Sequence, residues 1–105
     1  MTSYDAVRYG HSVIRSFKSR EAEEIWQGRA VRKPSSEVQR IARRKLRMLN
    51  NAQSLSDLRV PPGNRLEALK GDRAGEFSIR VNDQWRICFV WQGSDAHEVE
   101  IVDYH

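Results

Sequence analysis

The chain has 105 residues, which suits one domain with a single modest core. At 39% hydrophobic and 30% charged it is too apolar for a disordered chain and too polar for a membrane protein, and no apolar run approaches the ~20 residues of a spanning helix. Eighteen basic against fourteen acidic residues leave a net charge of +4, which points to a polyanionic partner such as nucleic acid.

Nothing at the N-terminus has the apolar centre of a signal peptide, so a cytoplasmic protein is expected. Residues 1–12, MTSYDAVRYGHS, show no sustained period and read as a flexible arm ahead of a single domain at 13–105. VIRSFK (13–18) alternates and predicts a first strand. SREAEEIWQG (19–28) predicts a short helix, with Ser19 as N-cap, Glu21, Glu23 and Glu24 near the positive end of the dipole, and Gly28 as the stop. KPSSEVQRIARRKLRMLNNA (33–52) carries the strongest helical period, with capping-box spacing between Ser36 and Gln39. At 100° per residue Val38, Ile41, Ala42, Leu49 and Ala52 share one face, while Arg40, Arg43, Arg44 and Arg47 cluster on the opposite one. Lys45 falls among the apolar residues and must snorkel or find a partner. LSDL adds a short turn before VPPG (60–63), where two prolines and a glycine break the chain.

Beyond that break the period changes to two. RLEALK (65–70), EFSIRV (76–81), WRICFVW (85–91) and HEVEIVDY (97–104) predict strands, with a tight hairpin at Asn82-Asp83. The order β-α-α-β-β-β-β predicts an α+β fold, both helices lying on one face of a curved, mainly antiparallel sheet.

The familiar enzyme signatures are missing. No phosphate-binding glycine loop, no nucleophile elbow and no metal-ligand spacing among His11, His97 and His105 is present. The lone Cys88 reads as a small buried hydrophobe. What remains is a basic set on the sheet half, comprising Lys70, Arg73, Arg80 and Arg86. If the face of Trp85, Ile87, Phe89 and Trp91 meets the helices, Arg86 points to the other side, where guanidinium groups suit phosphates. The helix arginines offer a second surface for phosphate or an acidic partner, though a polar helix face needs no function. Asp103, Tyr104 and His105 close the chain with a carboxylate, a phenol and an imidazole, the last able to move protons near neutral pH.

VIRSFK, the block PPGNRLEALKGDRAGEFSIRVNDQWRICFVW and the closing VEIVDYH together resemble the HigB toxins of type II toxin–antitoxin pairs, within the RelE/ParE superfamily, over Val13 to His105. The resemblance implies the RelE-like fold, with two N-terminal helices on a curved sheet. It implies a ribosome-dependent endoribonuclease that cuts mRNA in the A site. It also implies a HigA-like helix-turn-helix antitoxin as partner, operator DNA bound only through the antitoxin complex, and no membrane. Lys70, Arg73 and Arg86 match its basic positions, and Asp103, Tyr104 and His105 match its terminal DYH. Glu67 stands where some members carry a histidine, and Asn82 where an arginine can occur.

The expected roles follow from RNA chemistry. The 2′-OH is the nucleophile, and no cofactor or metal is needed. Lys70, Arg73 and Arg86 would hold the phosphate. His105, assisted by Glu67 or Asp103, would move protons, with the terminal carboxylate beside His105 favouring its imidazolium. Tyr104 would stack on a base or orient the phosphate. Arg40, Arg43, Arg44, Arg47 and Arg80 are candidate RNA contacts. Twelve residues precede the first strand, and Val13 is an alternative start. A ParE-like gyrase poison and a non-catalytic nucleic-acid-binding module are the rival readings.

Overall fold

Ser19 starts the first helix as expected: its hydroxyl accepts from the Ala22 amide, and α1 (Arg20–Trp26) buries Ala22 and Ile25. The computed structural model describes residues 13–104; the expected arm at 1–12 and His105 lie outside the described residues. The second helix, α2 (Ser36–Asn51), is capped by Ser35, whose hydroxyl accepts from Val38 N, one residue before the expected box. Gln39 is absent from the cap because its buried carboxamide is engaged elsewhere. It pairs with both backbone groups of Val31 and donates to the Pro34 carbonyl, tying the interhelical connection to α2.

The sheet has four antiparallel strands in chain order: β1 (Glu67–Ala68), β2 (Glu76–Arg80), β3 (Trp85–Gln92) and β4 (Asp95–Asp103). The hairpin between β2 and β3 turns on Asn82, whose side-chain oxygen accepts from Gln84 N and Trp85 N. Two expected strands are corrected. RLEALK contributes only Glu67 and Ala68, because the chain enters from a short 3-10 turn with Arg65 in the left-handed region and leaves into another at Gly71–Arg73. VIRSFK makes two isolated parallel bridges to β4, at Ile14–Ala96 and Phe17–Val99, in place of a full strand. The amides of Val13 and Ile14 go instead to Asn50 Oδ1, at 2.9 and 3.0 Å, which anchors this stretch to the end of α2.

β4 also begins at Asp95, two residues earlier than expected, and it carries a bulge. Ala96 and Val99 both face the core, yet they are three apart, which a regular strand forbids. The register shift opposite Cys88–Val90, with Glu98 at φ 54°, inserts the residue that restores Val99, Ile101 and Asp103 to one face. The core joins Ile25, Ala42, Leu46 and Leu49 of the helices to Ile79, Ile87, Phe89 and Val99 of the sheet. Each of these side chains except that of Ala42 contributes ~1.5–3 kcal/mol by burial. The fold is thus α+β with both helices on one face, which leaves the face of Ser78, Arg80, Arg86 and Glu100 to build a site.

Candidate active site

β-strand parity carries Arg86 to the face away from the helices, opposite Arg80 on β2 and Val102 on β4. Its guanidinium is held from three sides. Nε donates to Ser78 Oγ at 2.7 Å and Nη2 donates to the Arg65 carbonyl at 2.6 Å. Nη2 also lies 3.4 Å from Glu67 Oε1. The Tyr104 ring lies 5.9 Å from the guanidinium carbon, in cation–π range. These bonds all use Nε and Nη2, and among the described residues Nη1 has no partner. The side chain is only 12% exposed. Burial raises the Tyr104 pKa, so the ring stays a neutral phenol.

Around Arg86 lies an open cleft of ≈ 440 Å³, lined by Arg65, Glu67, Arg80, Asn82, Asp83, Arg86 and Tyr104. Arg80 is paired with Asp83 across the hairpin. Three guanidinium groups against two carboxylates make a cleft whose balance suits an anion such as a phosphodiester. A larger cavity of ≈ 550 Å³ lies between α1 and residues 30–33, among Arg20, Glu24 and Arg32, and holds none of the candidate catalytic groups.

The other sequence-chosen residues fall in different places. Arg73 does not line this cleft: its Nη1 donates to Glu76 Oε1 at 2.8 Å and Glu100 Oε2 at 2.9 Å, bridging β2 to β4 across β3. The Glu100 hydrogen bond, foremost among its partners, raises the pKa of Arg73 still further. Beneath this bridge Cys88 is fully buried, and burial pushes its thiol up to about 11. Lys70 is exposed at the start of the short turn Gly71–Arg73 and makes no ion pair among the described residues. Asp103 projects to the helix side, beside Pro34, Val38 and Trp85, and accepts from Gln84 Nε2. On α2, Arg40, Arg44 and Arg47 are exposed, whereas Arg43 Nε is engaged by the Ile25 carbonyl at the end of α1. Sequence reasoning missed Arg65 and Ser78. A serine in mid-strand and an arginine after a glycine-containing turn carry no signal until Arg86 is seen between them. Among the described residues no group of three or more His, Cys, Asp or Glu is arranged to hold a metal ion, and no helix is long and apolar enough to cross a membrane.

A family model described as RelE-like toxin of type II toxin–antitoxin system HigB matches residues 15–105. The chain belongs to this HigB family. Toxin HigB-1 of Vibrio cholerae is 53% identical over 58 residues, 55% of this chain and 60% of that protein. Endoribonuclease HigB of Proteus vulgaris is 34% identical over 94 residues, which is 89% of this chain and 100% of that one. The matched stretch is thus less than two thirds of the Vibrio toxin's length. Among solved structures, a YoeB/ParE toxin from Agrobacterium tumefaciens superposes with a TM-score of 0.50 at 21% identity, covering 89% of this HigB family member and 98% of that chain. That likeness bears on the fold alone.

Proposed function

We propose that this HigB family member is the toxin of a type II toxin–antitoxin pair and acts as a ribosome-dependent endoribonuclease on mRNA. The observation that carries the reading is the preorganised Arg86, fixed by Ser78 Oγ, the Arg65 carbonyl and Glu67 under the Tyr104 ring, at the floor of an anion-suited cleft. The full-length likeness to a protein named an endoribonuclease supports it.

The reaction asks little of the protein beyond positioning and proton transfer. The 2′-OH of the RNA attacks the adjacent phosphorus, and the 5′-oxygen of the next nucleotide leaves. A guanidinium already held rigid stabilises charge developing on the non-bridging oxygens without reorganising. Arg86 supplies this through Nη1, with Arg65 and Arg80 at the rim of the cleft. Glu67, 59% exposed and beside Arg86, is placed to accept the 2′-OH proton, while His105 would protonate the leaving oxygen. Asp103 is turned to the helix side, which favours Glu67 over it as the assisting carboxylate. Tyr104 offers a neutral ring for a base or the phosphate. The mechanism calls for no metal. A HigA-like antitoxin would be the neutralising partner, with operator DNA bound through the complex.

The test is primer extension on a defined mRNA in a cell-free translation reaction, with and without ribosomes, comparing the native chain with Arg86→Ala and His105→Ala. Cuts that require ribosomes and fade in both variants are expected. No cuts by the native chain would overturn the reading, and a gyrase supercoiling assay would follow.

A further inference from the structure

Asn64 is fully buried within a stretch, Arg59 to Arg65, whose other residues are all exposed. Both polar atoms of its side chain are engaged. Oδ1 accepts from Lys45 Nζ at 2.6 Å, and Nδ2 donates to the carbonyls of Leu58 at 3.1 Å and Val60 at 3.5 Å. Its own amide donates to the Pro61 carbonyl at 2.9 Å. The donor Lys45 is itself buried, in the middle of the apolar face of α2. Two apolar residues of similar volume would join helix and loop without desolvating an ammonium group and an amide. Hydrogen bonds, unlike apolar contact, fix direction.

What that direction controls is the next residue. Arg65 is a non-glycine residue in the left-handed region, at φ 46° and ψ 57°, a conformation that persists only where its surroundings enforce it. Its amide donates back to Pro62 O at 3.0 Å. Its carbonyl is the acceptor for Arg86 Nη2 at 2.6 Å. A continuous run of bonds therefore leads from Lys45 on α2, through Asn64 and the Arg65 peptide, to the guanidinium at the floor of the cleft. We infer that Asn64, anchored by Lys45, is a positioning residue that aims the Arg65 carbonyl and so fixes the orientation of Arg86. The catalytic consequence rests on the proposed role of Arg86; the orientation itself does not.

The experiment uses the full chain and two variants. Asn64→Ala removes the whole clamp, and Lys45→Met removes the remote donor while keeping an apolar stem in the core; if Asn64→Ala fails to fold, Lys45→Met decides. The first readout is the arginine side-chain ¹⁵N spectrum, with Arg86 assigned by the signal that disappears in Arg86→Lys. A guanidinium bonded at Nε and Nη2 rotates slowly about Cζ–Nε and shows separate Nη signals in the native chain. In the folded variants these signals are expected to merge. The second readout is single-turnover cleavage on mRNA-programmed ribosomes. Here the maximal cleavage rate constant at saturating ribosome is expected to fall by about 10- to 100-fold, the scale of a misplaced group, with the half-saturating concentration changed less than about twofold. Separate Nη signals retained in the folded variants would overturn the inference, whatever the activity. Merged signals with undiminished cleavage would sustain the positioning role and defeat the catalytic reading of Arg86 instead.

Discussion

A guanidinium that already bridges a hydroxyl, a carbonyl and a carboxylate cannot be replaced by another cation of the same charge. Lysine offers one ammonium group on a flexible stem, and it cannot serve Ser78 Oγ and the Arg65 carbonyl in the fixed fork that Arg86 uses. Arg86→Lys is therefore expected to lose most of the activity that Arg86→Ala loses, about 10²- to 10³-fold in single-turnover cleavage. Retention of near-native rates by Arg86→Lys would show that charge alone suffices and that the preorganised geometry is idle. Two positions away on β3, Cys88 faces the same side but has no part in chemistry. Burial holds its thiol protonated up to about 11, and its exposure is nil. At pH 8 the native chain should resist iodoacetamide, with alkylation appearing only in denaturant, because the thiolate is the reactive species. Prompt labelling of the native chain, followed by mass spectrometry, would mean that the sheet opens at this row. The placement of Arg86 was legible because strand alternation alone assigns its face. Its partners were not, since Arg65 lies 21 residues away in sequence and a left-handed peptide leaves no trace in composition.

The connection from β1 to β2 behaves as a braced element. Arg73 spans from Glu76 on β2 to Glu100 on β4, and Lys18 adds a fourth charge 3.6 Å from Glu100. Both carboxylates are more than four-fifths buried, at 19% and 14% side-chain exposure, so removal of the cation leaves two like charges poorly hydrated on one face. Arg73→Ala is expected to cost about 1.5–3 kcal/mol in thermal or urea unfolding, the range for hydrogen bonds to charged groups. If Arg73 instead serves mainly as a phosphate contact, the variant would lose cleavage with stability unchanged. The sequence resemblance led to the expectation that Arg73 is a basic site residue, and spacing alone could not reveal the two carboxylates that occupy it, because one of them arrives from β4, 27 residues on. Elements with a strong period were readable: α1, α2, β2 and β3 lie within a few residues of where alternation and capping put them. The leading stretch and β1 were not. Asn50 takes the amides of Val13 and Ile14, and 3-10 turns bound β1 on both sides, neither of which local alternation encodes.

At the scale of the whole molecule the question is how a small domain with a net charge of +4 would meet the ribosome and mRNA proposed as its target. The exposed cations of α2 run along one side as Arg40, Arg44 and Arg47. They are close to free: the Arg40–Glu37 pair is 4.0 Å apart with both side chains mostly exposed, an arrangement that contributes little. Lys45 has its pKa lowered by burial first, then by repulsion from Arg44 of the helix and Arg80 of the cleft, so cations of both contribute to the positive field at that point. Such a field raises the encounter rate with a polyanion and weakens steeply with salt. The triple variant Arg40→Glu, Arg44→Glu and Arg47→Glu should keep its unfolding free energy within about ±0.5 kcal/mol, because surface changes away from packed features are nearly neutral. Its affinity for programmed ribosomes should drop, and the slope of log K against log salt should become shallower by about 2–3, at ~0.7–0.9 for each phosphate that is no longer neutralised. Arg43→Glu, which breaks the bond to the Ile25 carbonyl, should do the reverse: it should lower stability while leaving the slope nearly unchanged. A triple variant with the native salt slope would mean that any docking runs through the cleft alone, with the helix arginines no more than a solvated face.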